Sequence, residues 1–148
     1  KKILQPTKSM PDYNTVSDAD VVIMRYAHVL LMIAEAENEV NGPTEKALKA
    51  INAVRTRSHQ PAIDGANLTQ AELRERIRNE WRVETCFEGL RYFQLKRWKL
   101  LQQTVDGAVD PAYPAYKKVV TSAFEYFPLP QGEIDKAHGV LVQDPNYQ

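Results

Sequence analysis

Residues 75–98 read ERIRNEWRVETCFEGLRYFQLKRW, and the charges in this stretch stand where a simple amphipathic helix would not put them. On a helical wheel at about 100° per residue, Leu73, Ile77, Val83, Phe87 and Leu90 form one broad apolar arc. Glu80 and Glu84 fall inside that arc, whereas Arg74, Arg78 and Arg82 fall on the opposite, wet side and do not readily neutralise them. If the helix ran on through Gly89, Arg91 would join the line of Glu80, Glu84 and Glu88. A buried carboxylate is costly unless a cation meets it. The pattern therefore predicts structural ion pairs involving Glu80, Glu84, Glu88 and Arg91, with Arg25, Arg55, Arg57 and Arg91 as the candidate cations.

Working outward, Thr69-x-x-Glu72 has the spacing of a capping box and predicts where the signature helix begins. A second such box, Ser17-x-x-Asp20, predicts a helix running to about Val40, and Asn41-Gly42-Pro43 stops it and starts the next. That next helix, about residues 44–58, gathers Ala47, Leu48, Ile51 and Val54 on one face. So short a link forces the two helices antiparallel, and the small residues Ala34, Ala36, Ala47, Ala50 and Ala53 would let them approach closely. This is a helical hairpin of tetratricopeptide type, present as one unit without internal repeat. Downstream of the signature, Gly89 predicts a break, followed by a shorter helix over about residues 90–103. Residues 104–114 read as a surface loop, 117–127 as an extended element, and 131–137 as a short helical turn. Pro128 and Pro130 interrupt any regular element between the last two, and the opening residues 1–15 read as an irregular lead-in. The expected architecture is mostly α, a single domain over residues 1–148. It comprises a tetratricopeptide-like hairpin, one long signature helix and an irregular, proline-rich C-terminal wrap.

Residues 78–98, Arg-Asn-Glu-x-Arg-Val-Glu-x-x-Phe-Glu-Gly-x-Arg-Tyr-Phe-x-Leu-Lys-Arg-Trp, resemble the C-terminal signature of the SusD/RagB family of surface lipoproteins. Three further segments resemble the same family in the same order. They are Arg25-Tyr-Ala-x-Val-Leu-Leu-Met-x-Ala-Glu-Ala36, Ala50-Ile-Asn-x-Val-Arg-x-Arg57, and Phe127-Pro-Leu-Pro-x-x-Glu-Ile-Asp135 with the closing Gln143-Asp-Pro-Asn-Tyr147. Gln94 stands where the family usually shows Asp, Trp81 where it often shows Arg, and His28 where it often shows an acid. The resemblance implies a non-catalytic protein that captures an oligosaccharide and delivers it to a TonB-dependent outer-membrane transporter. It also implies that this chain is the C-terminal part of a longer protein on the outer-membrane cell surface. The export signal and the lipid-bearing cysteine would then lie upstream, and only that anchor would join it to the membrane.

Composition narrows the alternatives. With 43% hydrophobic and 26% charged residues, 148 residues suffice for an ordinary core, so disorder is not expected. Nineteen basic and nineteen acidic residues balance, leaving no electrostatic footprint for nucleic acid. The single cysteine, Cys86, excludes an intramolecular disulfide and a cysteine-cluster metal site, and reads as an inert, partly buried thiol. The most apolar stretch, residues 21–36, carries Arg25, His28 and Glu35 and reads as a core helix, not a membrane span.

Glu80, Glu84 and Glu88 have a spacing that paired-carboxylate hydrolysis or a di-metal site could use. A di-metal bundle would add Glu-x-x-His, which is absent, and no nucleotide or hydrolase motif occurs. The chain is expected to be no enzyme and to carry no catalytic residue, cofactor or metal. His28 reads as a hydrogen-bonded core histidine and Trp81 and Trp98 as core. Glycan sites need exposed aromatic faces and a few polar groups. Among the loop aromatics Tyr13, Tyr113, Tyr116 and Tyr147, the proline-flanked Tyr113 and Tyr116 are the glycan-binding candidates. The competing expectation is a tetratricopeptide-like protein-interaction module with no glycan role; an enzyme using the glutamates is a third.

Overall fold

A computed structural model describes residues 22–147, apart from the side chains of a few of them. Two compact units divide the chain, Lys1–Glu88 and Gly89–Gln148. The Ser17/Asp20 capping box, the lead-in and Tyr13 lie outside the described residues. The described chain is mostly helical.

In the first unit, α1 (Tyr26–Asn41) and α2 (Glu45–Arg57) form the antiparallel hairpin, and α3 (Gln70–Glu84) packs on α1. α1 opens at Tyr26 and not near Ser17, because residues 22–25 are not helical and Arg25 takes the extended N-cap conformation. Gly42 ends it at φ 79°, a left-handed geometry that suits glycine, and its N–H donates to the Asn38 carbonyl at 2.9 Å. Thr44 then caps α2 by accepting from the Ala47 N–H. The Thr69/Glu72 capping box forms in full, so α3 begins where the spacing placed it.

Leu31, Ala34, Ala47, Ala50, Ile51, Val54, Leu73, Ile77 and Trp81 are buried and make the core of this unit. Ala36 and Ala53, expected at the helix contact, are exposed instead. On the wheel they lie well away from the buried stripes of their helices, so the close approach rests on Ala34, Ala47 and Ala50. Ala47→Leu is therefore expected to overpack the hairpin by about 1 to 3 kcal/mol, whereas Ala53→Leu should be nearly neutral. Urea unfolding of the two variants checks this, and equal costs would mean that the hairpin does not close on Ala47.

The α1 and α3 ends are clasped by polar groups. Gln70 donates from Nε2 to the Asn38 carbonyl at 2.7 Å, and Asn38 donates from Nδ2 to the Gln70 carbonyl at 3.0 Å. Arg74 grips Glu39 with two bonds of 2.6 Å. Those bonds hold the Glu39 carboxyl below its ordinary range, against a smaller opposing effect of burial.

The apolar arc of α3 is narrower than the wheel predicts. Val83 is 61% and Phe87 93% exposed, and Cys86 is exposed instead of partly buried. Val83 lies at the edge of the arc. α3 ends at Glu84, and the chain then turns through Phe87 at φ 65°, so the helical period no longer applies to Cys86 and Phe87.

In the second unit, α4 (Arg91–Arg97) and α5 (Leu101–Val105) replace the single helix expected over residues 90–103. Lys99 takes φ 57°, and the Leu100 and Lys99 N–H groups donate back to the Leu95 and Lys96 carbonyls, a Schellman-type end to α4. β1 (Val109–Asp110) and β2 (Tyr113–Lys117) form an antiparallel hairpin inside and just beyond the segment expected to be loop. The extended element expected over residues 117–127 is instead the end of β2 followed by a short 3-10 turn, Ser122–Glu125. Leu95, Leu101 and Val120 form a small core flanked by Tyr92, Leu100 and Val105. α6 (Gln131–Lys136) follows the prolines. The Gln143 side chain bonds both backbone groups of Leu129, and the Tyr147 hydroxyl lies 2.5 and 2.7 Å from the Ala123 and Tyr126 carbonyl oxygens, fastening the C-terminal wrap.

Candidate functional site

The carboxylates of the signature helix sit against cations. Glu80 accepts from Arg55 at 2.7 Å. Glu84, the last residue of α3, accepts from Arg57 at 2.6 Å and also from Arg25. Glu88, in the turn beyond, accepts from Arg25 Nη2 at 2.8 Å and faces His28 Nε2 at 2.7 Å. Arg25 Nη2 further donates to the Glu84 carbonyl at 2.6 Å. A helix C-terminus carries partial negative charge and unmatched carbonyls, so two carboxylates there are unfavourable unless a cation joins them. Arg25 supplies that cation from the N-cap of α1, tying the start of one helix to the end of another. Burial works against its charged form, but the hydrogen bonds to Glu88 and Glu84 outweigh it and raise the guanidinium above its ordinary value. Arg91 stands in the second unit as the first residue of α4.

This network is suited to holding helices. Each of the three carboxylates accepts from an arginine that is itself held in place, which leaves it poorly placed to shuttle protons. Among the described residues no group of three or more His, Cys, Asp and Glu side chains is placed to hold a metal ion. An open depression of about 310 Å³ nearby is lined by Arg55, Ile63, Glu75, Arg76 and Asn79 and offers no aromatic face.

Tyr113 and Tyr116 occupy a different setting. They lie on β2, 63% and 76% exposed, with ring centroids 6.4 Å apart and planes at 67°. Residues three apart on a regular strand point to opposite faces. Here Val109 pairs with Lys117 and Asp110 with Tyr113, so residues 114–116 form a bulge without partners on β1, and the bulge brings the two rings together. Pro114, which has no N–H to donate, falls inside that bulge, where none is needed. The rings, with Ala115, Lys117 and Lys118, line an open depression of about 580 Å³. The hairpin beneath is fixed by Gly107 N–H to Lys118 O and Lys118 N–H to Ala108 O, each 2.9 Å, and by Val120 N–H to the Asp106 carboxylate at 3.1 Å.

A second aromatic surface was missed by the sequence reading. Tyr92, Phe93 and Phe127 cluster with centroids 5.5 to 6.1 Å apart. Lys96 lies over Tyr92 and Phe127 at 5.4 and 5.0 Å, while Phe93 and Phe127 remain 62% and 71% exposed. The signal lay in Tyr92 and Lys96, four residues apart on one helix; Phe127 joins them only through folding. Of the other aromatics weighed, Tyr147 is occupied as a fastener, Trp81 is buried and Trp98 is partly buried.

The sequence pattern of the SusD family matches residues 1–147. SusD-like protein P2 of Formosa agariphila is 30% identical over 140 residues, which cover 88% of this chain and 26% of that protein. A SusD-like protein from Bacteroides fragilis superposes with a TM-score of 0.72 at 28% identity, over 86% of this chain and 26% of that one. The surface glycan-binding protein A from Bacteroides thetaiotaomicron does so with a TM-score of 0.66 at 28% identity, over 84% of this chain and 24% of that one. The chain thus spans about a quarter of the length of these relatives. With its ordered motifs, its helical hairpin and its match along nearly the whole length, the chain belongs to the SusD family.

Proposed function

We propose that this chain is the C-terminal part of a lipid-anchored outer-membrane surface protein that binds an oligosaccharide without altering it and passes it to a TonB-dependent transporter. The observation that carries the site is the exposed Tyr113/Tyr116 pair over an open depression, two aromatic faces at an angle that a pyranose ring can sit against. Family membership and the likeness to a surface glycan-binding protein support the ligand class. The absence of chemistry is supported by the signature carboxylates being engaged with arginines in structural ion pairs.

The test is titration calorimetry of the full-length protein against a panel of oligosaccharides, with the sugars recovered afterwards. Tyr113→Ala and Tyr116→Ala are each expected to weaken binding about tenfold, equivalent to roughly 1.4 kcal/mol, at unchanged melting temperature. Unaltered affinity in both variants removes the hairpin from the site, and cleaved sugar in the recovered sample overturns the non-catalytic reading. Co-purification with the transporter tests delivery separately.

A tetratricopeptide-like interaction module is the second reading. It is favoured by the outer face of α1, where Tyr26, Val29, Ile33, Ala36 and Val40 recur at alternating spacings of three and four residues and are exposed or only half-buried. Binding of a protein partner without any oligosaccharide affinity would select it.

A further inference from the structure

Resting on that reading of the Tyr113/Tyr116 site, we propose that its ligand is an anionic glycan, one whose sugars carry carboxylate or sulfate groups. The depression that the two rings line is also lined by Lys117 and Lys118, adjacent residues at the end of β2 and just beyond it. Both are exposed, and among the described residues neither ammonium pairs with a carboxylate. Several other cations are neutralised: Lys46 pairs with Glu37, Lys136 with Glu133, and Arg25, Arg55, Arg57, Arg74 and Arg78 each meet a glutamate. Two adjacent unpaired ammonium groups beside a stacking pair therefore make a locally positive rim in a chain of zero formal net charge.

The rim is also positioned. Lys118 is held through both backbone groups by Gly107 and Ala108, and Lys117 faces Val109 in the ladder. A Cβ added at Gly107 would come within 3.3 Å of Lys117 Cε, so the lysine stem runs along the glycine backbone in space that a side chain would fill. Gly107 itself sits at φ 74°, which favours glycine there on conformational grounds as well. The Lys117 stem lies along the hairpin at Gly107, and both lysines line the depression that the tyrosine rings line, so an equatorial carboxylate or sulfate of a stacked sugar would meet a positively charged wall. Neutral sugars offer hydroxyl groups that any polar side chain can bond. Two compact point charges on residues that line the same depression as the stacking pair are instead matched to anionic substituents.

The experiment is titration calorimetry of the full-length protein with three oligosaccharides of equal length: a neutral galactan, a polygalacturonate and a sulfated galactan. Each is run at low and moderate salt with wild type, Lys117→Gln/Lys118→Gln, Tyr113→Ala and the remote control Lys49→Gln. We expect an anionic oligosaccharide to bind about tenfold tighter than the neutral one at low salt and to lose most of that advantage at moderate salt. The double lysine variant should abolish the advantage at unchanged melting temperature, while Lys49→Gln leaves it intact. Whichever of the carboxylated and sulfated chains binds tighter identifies the substituent. Equal affinity for neutral and anionic chains, or indifference to the lysine variant while Tyr113→Ala still weakens binding, overturns the anionic assignment and leaves the glycan site standing. An advantage reduced equally by Lys49→Gln marks diffuse attraction and overturns it too. Absence of binding to all three overturns both readings.

Discussion

Arg25→Ala is expected to destabilise the first unit by about 2 to 4 kcal/mol, the largest loss for any single surface-reaching side chain in it. Removing one partner from a fully buried ion pair typically costs about 3 to 5 kcal/mol. Arg25 is 23% exposed, so water reaches part of the site and screens the pair, which makes the cost smaller. The variant removes a guanidinium that bonds Glu84, Glu88 and the Glu84 carbonyl together. Arg57 remains on Glu84, but at 58% exposure it is screened, and His28 remains on Glu88. Arg25→Lys should recover only part of the loss, since an ammonium lacks the planar fork that spans two carboxylates and a carbonyl. Arg82→Ala, on the exposed side of α3, should stay within about 0.5 kcal/mol of wild type. Urea titration of the three variants decides it. An Arg25→Ala variant as stable as Arg82→Ala would show that the helix ends are held by packing alone.

The helical part of the fold was legible because its signals are local. Positions 73, 77, 80 and 84 share one face at the helical period, and α3 buries those positions. Thr69 with Glu72, and Gly42 with Pro43, mark boundaries through side-chain and backbone chemistry within a few residues. What the period could not give was the end of α3, since the left-handed turn at Phe87 occurs at a non-glycine residue, where sequence carries little warning. The choice of Arg25, Arg55 and Arg57 as partners joins residues 25 or more apart in the chain. Nothing in local spacing encodes which arginine meets which glutamate.

The β-hairpin was hidden for a different reason. Its strands are short, β2 is exposed along its length, and the bulge destroys the alternation by which a strand is recognised. The prolines and glycine that suggested a loop lie in and around the turn and bulge of the hairpin. Tyr113 and Tyr116 could therefore be named as loop aromatics, but their mutual approach and the lysine rim beside them depend on a register that only the folded chain displays.

Trp81→Ala is expected to cost about 3 to 5 kcal/mol, the range for truncating a buried aromatic. The wheel set Trp81 at the margin of the apolar arc, yet it is 3% exposed, because α3 packs on α1 along a stripe centred nearer Trp81 than Val83. Two contributions are separable there. The indole body fills space beside His28, with ring centroids 5.9 Å apart, and Nε1–H donates to Glu35 at 3.0 Å. Trp81→Phe keeps most of the aromatic volume and loses the donor, so it should cost markedly less, about 1 to 2 kcal/mol for the hydrogen bond and the remaining gap. If phenylalanine proves as damaging as alanine in denaturant unfolding, the bond to Glu35 and not the packing dominates at this position. If neither variant moves stability, Trp81 is not the core residue that its burial indicates. The expected order, alanine far below phenylalanine and phenylalanine modestly below wild type, would place the joint between α1 and α3 on two supports: the apolar wedge of Trp81 and the ionic clasp of Arg25.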